Sequence, residues 1–282
     1  MSGLKADVLK KELDEFKLSH YKNADFDSLT HNLIQLYNKF GRLKDERKQS
    51  RVILDLYTLY IQSVEILFIN AHALSVPVER FPSALFIKSD DIRDFIDDNF
   101  SKTTKFSTWF FKPIFSLIRD KDDAKEKYNL YTNLIKEVAK DYLSDYELLN
   151  AYKHGYRIKA NHGETTLAIS IGNRERFKLN DSDSTITYFS KEKRDGTPII
   201  LKHTLNFKVG RIFGKCLFVC SLLNNLRAVT LLQYKVPVKS KDVSRFSVND
   251  KEEWASLFGG SHFKEPVFSL KKPNKKNAIS KG

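Results

Sequence analysis

Two apolar stretches do most to limit what this chain can fold into. "VILDLYTLYIQSVEILFINAHAL", which starts at Val52, and "CLFVCSLLNNLRAVTLL", which starts at Cys216, are each long enough to dominate a core. Both are interrupted by Asp, Glu, Gln, Asn or Arg before an unbroken membrane-spanning length of about 20 residues is reached. They therefore read as buried helices of a soluble protein, with no membrane partner expected. In the first, Val52, Ile53, Leu56, Tyr60, Val64, Leu67, Ala71 and Leu74 recur at helical steps from Ser50 to about Leu74. That face is broad enough for a central place in a bundle, and Pro77 limits how far the helix can run.

Other segments carry the same period. In "FDSLTHNLIQLYNKFGRLK", residues 26–44, Leu29, Leu33, Leu36, Tyr37 and Phe40 define an amphipathic helix with Asp27 or Ser28 as its cap. A short helix is expected at "SDDIRDFIDDNF", capped by Ser89 or Asp90. The aromatic "TWFFKPIF" reads as packing under a loop. A further helix runs from about Asp123 to Leu143, with Tyr131, Leu134, Ile135, Val138 and Tyr142 on one face, and the last from about Phe207 to Leu232.

Between these the pattern changes. "TTLAISIG", "STITYFSK" and "PIILKHTL" are short, rich in Thr and Ile, and separated by the turn chemistries "NDSD" and "RDGT". They predict a three-stranded antiparallel meander. The expected fold class is mainly α: a helical bundle over residues 1–234 with a β insertion at about 164–203, then a basic, largely irregular and flexible tail over 235–282. From Lys235 onward eleven Lys and Arg face five acids, with few apolar residues to fold around.

Charge narrows the partners without choosing one. The 48 Lys and Arg against 35 Asp and Glu leave a formal net charge of +13, which favours polyanions such as RNA, DNA or anionic head groups. The N-terminus lacks the apolar core of a signal peptide, and two cysteines make a disulfide framework unlikely to be the organising device, so the reducing cytoplasm is the expected compartment. Cys216 and Cys220 lie one helical turn apart amid "KCLFVCSLL" and read as core. No metal is expected, since neither these thiols nor His162 and His203 have a third ligand nearby, and both histidines read as surface or turn residues. "VGRIFGK" lacks the spacing of a phosphate-binding loop.

One stretch gathers chemistry. In "LSDYELLNAYKHGYRIKA", residues 143–160, Ser144 and Glu147 have the spacing of a capping box, so a new helix is expected from Asp145 with Gly155 to end it. Leu148, Leu149 and Tyr152 form its apolar side, while Glu147, Asn150 and His154 fall at three- and four-residue steps on another, with Lys153 beside them. The bland account is a helix end with its usual basic finish.

"LLNAYKHG", following a long amphipathic helix, resembles the Asn-x-x-Lys-His version of the motif of the HEPN superfamily, helical-bundle proteins of many prokaryotic toxin, abortive-infection and antiphage systems. The likeness covers the motif and the helical pattern of roughly residues 26–232. It implies an RNA-acting protein: a metal-independent endoribonuclease in antiphage defence or a toxin–antitoxin system, with no cofactor and with a site commonly shared across a homodimer. His154 matches the family histidine and would be the general acid or base, and Asn150 matches the polar residue that follows the family arginine. That arginine has no counterpart: four, five and six intervening residues before His154 stand Leu149, Leu148 and Glu147. Lys153 or Arg157 could take its place, with Arg157 and Glu147 as substrate-contacting residues. The missing arginine favours the alternative, a catalytically silent module that binds RNA or a protein partner.

Overall fold

The interior is built around a helix that no other element could replace. In this computed structural model, which describes residues 2–103, 106–115, 121–154, 158–162, 168–170, 176–178, 184–194, 197–239, 257–258 and 261–269, the first three helices are α1 (Ser2–Asn23), α2 (Asp27–Arg42) and α3 (Glu46–Ser75). Helix α3 starts where the Asp45 carboxylate accepts the Lys48 amide, 2.9 Å away, and it buries residues on nearly all of its circumference. Two short helices follow, α4 (Phe81–Ala84) and α5 (Ser89–Ile96), then α6 (Lys112–Phe115), the long α7 (Lys121–His154) and, after the strands, α8 (Val209–Gln233). Helices α3 and α8 are apolar and long enough to cross a membrane by composition alone, yet 67% and 72% of their most apolar windows are buried inside the bundle, where they pack on each other.

Among the described residues the chain is mainly helical, with antiparallel strands gathered to one side. These are β1 (Ile158–His162), β2 (Ala168–Ser170), β3 (Arg176–Lys178), β4 (Ser184–Arg194), β5 (Thr197–Phe207) and β6 (Ser261–Ser269). The order β1-β4-β5-β6 makes one four-stranded sheet, and β2 pairs only with β3. The meander expected over about 164–203 is therefore corrected. Its last two strands pair as expected, with Arg194 opposite Thr197 and the Asp-Gly pair between them in sequence. Its first, however, joins a separate ladder, and its place beside β4 is taken by β1, which packs on α3. The segment expected to be a largely irregular tail carries one strand: β6 pairs with β5 along its length, and Leu257 is buried against Gly214 of α8, where a side chain would collide with it. Most other tail residues lie outside the described ones.

Several boundaries differ from the expectations for local reasons. The N-terminal segment is helical although its apolar pattern is weak, and it is held from a distance: Arg227 Nε donates to the Tyr21 carbonyl at 3.0 Å and the Tyr234 hydroxyl to Asp14 at 2.8 Å. Helix α2 is capped by Asp25, whose carboxylate accepts the Ser28 amide at 3.1 Å, and α5 already includes Ser89 and Asp90, so its cap position falls at Lys88, which makes no side-chain cap bond. The "TWFFKPIF" aromatics pack inward as expected, with Phe110, Phe111 and Ile114 buried beside Phe100 and Phe106. Cys216 and Cys220 are buried as free thiols.

Ionic contacts sit unusually deep between α3, α7 and α8. Lys215 of α8, 1% exposed, donates to Asp141 of α7 at 2.7 Å, and the Tyr60 hydroxyl of α3 donates to the same carboxylate oxygen at 2.7 Å. One turn along, Tyr57 donates to the buried Asp145 at 2.5 Å, and Tyr142 to Glu65 at 3.2 Å. Burial first, and then the neighbouring Asp141 and Asp145 carboxylates, push the Tyr57 and Tyr60 phenols well above their ordinary range.

A raised phenol means the native state keeps its proton while the unfolded chain loses it, so stability is intact below about pH 10 and falls as pH rises beyond it. In an alkaline titration the phenolate absorbance of these two tyrosines is expected only with loss of the helical circular-dichroism signal. Removing one ionic partner should also be asymmetric: Asp141→Leu strands the deeper Lys215 and is expected to cost about 3–5 kcal/mol in urea unfolding, Lys215→Met less because Asp141 is partly exposed.

Candidate functional site

Helix α7 carries the motif, and it runs unbroken to His154 rather than restarting at Asp145. The reason lies in its stripe. Tyr131, Ile135, Val138, Tyr142, Asp145, Leu149 and Tyr152 follow one another at alternating four- and three-residue steps, and the acid in that row looks like a break only until Tyr57 meets it. Ser144 is thus a mid-helix residue, and its carbonyl, 3.5 Å from the Tyr188 hydroxyl, faces the sheet. Leu148 and Leu149 are buried as expected.

The last turns of α7 are fastened to the first half of α3. The Tyr152 hydroxyl donates to Asp55 at 3.2 Å, Arg51 pairs with the same Asp55 at 3.3 Å, and the Arg51 guanidinium lies 6.0 Å from the centre of the Tyr152 ring. Burial first, then the Asp55 charge, raises the Tyr152 phenol above its usual range. Glu147, half-buried one turn earlier, accepts from the Tyr146 hydroxyl, whose pKa is pushed up to about 12 by burial and by that carboxylate. Asn150, Lys153 and His154 occupy backbone positions in the final turns of α7; their side chains and the whole of Arg157 and Gly155 lie outside the described residues.

Beside this helix end lies a groove of about 540 Å³ between α2 and α3, closed at one side by Tyr152. Its rim is polar and solvent-facing, while Leu33 and Leu36 of α2 pack inward beneath it. Arg51, Asp55, Thr58 and Gln62 step along α3 at four, three and four residues, and Asn32, Gln35 and Lys39 along α2 at three and four. Thr58 is 4% exposed and its hydroxyl has no hydrogen-bond partner. Leu36 and Leu59 supply apolar floor. Sequence reasoning passed over these residues because α3 was read only for its apolar positions; the polar steps at 51, 55, 58 and 62 were the available signal.

Other candidates resolve as structure. His203, expected at the surface, is 1% exposed in mid-strand: its ring stacks on Tyr188 at 4.4 Å and its Nε2 lies 2.7 Å from Ser190 Oγ. The register that sets Tyr188 opposite His203 brings the rings together, a pairing invisible in either strand alone. His162 ends β1, with its side chain outside the described residues. Among the described residues no cluster of three or more His, Cys, Asp or Glu side chains is arranged to hold a metal ion.

No family model, no curated protein and no solved structure matches the chain.

The Tyr57–Asp145 contact holds the end of α7 in place. Asp145→Ala is expected to lower stability by about 1–3 kcal/mol, since it leaves the buried Tyr57 hydroxyl without its acceptor. Hydrogen exchange should show faster amides over residues 148–154, while those of α8 stay protected until global unfolding.

Proposed function

We propose that this is a HEPN-like RNA-acting protein, a metal-independent endoribonuclease of an antiphage or toxin system. What supports the reading is the position of the Asn-x-x-Lys-His motif: Asn150, Lys153 and His154 occupy the last turns of a 34-residue helix whose preceding residues are anchored in the core. A formal net charge of +13 suits a phosphate backbone.

In this reading the ribose 2′-hydroxyl attacks the adjacent phosphorus, the bond to the 5′-oxygen breaks, and a 2′,3′-cyclic phosphate is left. His154 takes the hydroxyl proton or protonates the leaving oxygen, an exchange suited to an imidazole that titrates near neutrality. Lys153 and Arg157 hold the phosphate, standing in for the family arginine, and Asn150 orients the histidine or the ribose. Glu147 has a competing engagement with Tyr146, which favours a supporting over a substrate-contacting role. Two copies of the chain would share the site, RNA is its partner, and the cytoplasm is where it acts.

The absent arginine supports a second reading, a silent module of the same fold that binds RNA or a protein partner. Incubation of the purified chain with labelled structured RNA and tRNA in chelator separates the two. The expected outcome is cleavage by the wild type that leaves cyclic-phosphate ends, and a loss of at least about a hundredfold in rate for His154→Ala. Binding without cutting, with a steep salt dependence in both proteins, would give preference to the silent module.

A further inference from the structure

The groove opens on the solvent side of α2 and α3: Leu33 of α2 is buried and Leu36 packs inward, while the exposed Asn32, Gln35, Lys39, Arg51 and Gln62 rim the opening. The volume, about 540 Å³, falls in the range of small-ligand clefts. The Thr58 hydroxyl in its lining, buried and without a partner, is a second and separate observation, because a group left so is costly unless something supplies its hydrogen bond.

We propose that this groove binds one nucleotide unit, its base inserted between the Arg51 guanidinium and the Tyr152 ring. The Arg51 guanidinium carbon already lies over the Tyr152 ring, 6.0 Å from its centre, and a base between them needs roughly 7 Å, two stacking spacings of about 3.4 Å. Arg51 can give the difference, as its side chain is 68% exposed. Gln35 and Gln62, one from each wall, carry the paired donor and acceptor of an amide, the equipment for a base edge. Thr58 gains its missing hydrogen bond. Lys39, on the α2 wall, meets the phosphate as a point charge. Asp55 keeps Arg51 and Tyr152 aimed, since both hold its carboxylate.

The proposal rests on the reading above only in that Tyr152 lies two residues before His154, so a strand whose base enters the groove passes the end of α7. A nucleotide unit has two sources, an unpaired residue of an RNA strand or a free nucleotide acting as an effector.

The test uses the full chain and the fluorescence of 2-aminopurine, which is quenched on stacking, presented as a single-stranded ribo-oligonucleotide, the same strand in a duplex, and a ribonucleoside monophosphate. Quenching of the single strand but not the monophosphate assigns the groove to RNA, and saturable quenching of both assigns it to free nucleotide as well. In either case Tyr152→Phe, which keeps the ring but loses the Asp55 bond, is expected to bind more tightly than Tyr152→Ala, and Thr58→Ser, which keeps the hydroxyl, more tightly than Thr58→Val. Tyr152→Ala and Arg51→Lys should weaken binding about tenfold or more, as loss of one stacking surface does. Thr58→Val should weaken binding while melting at or above the wild-type temperature, because it removes a hydroxyl that the free protein leaves unsatisfied; a lower melting temperature would count against a ligand role. Absence of quenching by every probe, or quenching equal in all groove variants, would overturn the proposal. The two readings fail separately. Cleavage that needs His154 but is indifferent to Arg51 and Tyr152 would sink the groove and leave the nuclease; stacking that depends on the groove, without cleavage, would do the reverse.

Discussion

The contact on which the rest of the molecule depends is the buried pair of Lys215 and Asp141, with Tyr60 on the same carboxylate oxygen. It joins α8, α7 and α3, the three longest helices among the described residues, at one point. An ion pair at this depth adds little net stability, since desolvation offsets the Coulomb attraction. Its effect is on register. A slide of α7 by one turn, about 5.4 Å, would take Asp145 away from Tyr57 and Tyr152 away from Asp55, so the contacts set the packing together rather than Lys215 alone. With α7 held there, Asp145 comes level with Tyr57, and Tyr152 with Asp55.

The same register determines where the candidate chemistry lies. Tyr152 closes the groove because α7 runs along α3 as far as Asp55, which then orders both Tyr152 and Arg51. The motif positions Asn150, Lys153 and His154 follow from the same helix, as its last turns. The candidate groups stand at the end of a helix that is buried along one side from Tyr131 to Leu149. The arrangement suits a site that must hold its geometry while binding a flexible polyanion.

Much of the helical architecture was legible because burial on one face imposes a period. Leu33, Leu56, Val64, Val138 and Phe218 are buried where their spacing in the sequence puts them. The misreadings have a common cause. Asp145 and His203 are polar residues in buried positions, and each is admitted by a partner distant in sequence or across a strand pair: Tyr57, and Tyr188 with Ser190. A reading that takes polarity as exposure places such residues at breaks, turns or surfaces. Strand β6 escaped notice for a related reason, as a lysine-bearing segment with few apolar residues becomes a strand only by pairing with an edge that β5 offers.

By itself the sequence determined the helical class, the two dominant core helices, the β4–β5 pairing and the concentration of Asn, Lys and His at the end of α7. These depend on local periodicity and turn chemistry, which neighbouring residues carry among themselves. Only the tertiary structure decided that α7 is continuous, that β1 and β6 rather than β2 complete the main sheet, and that exposed polar residues of α2 and α3 rim one groove beside Tyr152. Those outcomes depend on which distant residue arrives to satisfy a buried charge, an open strand edge or a helix face, and that is settled when the elements pack together.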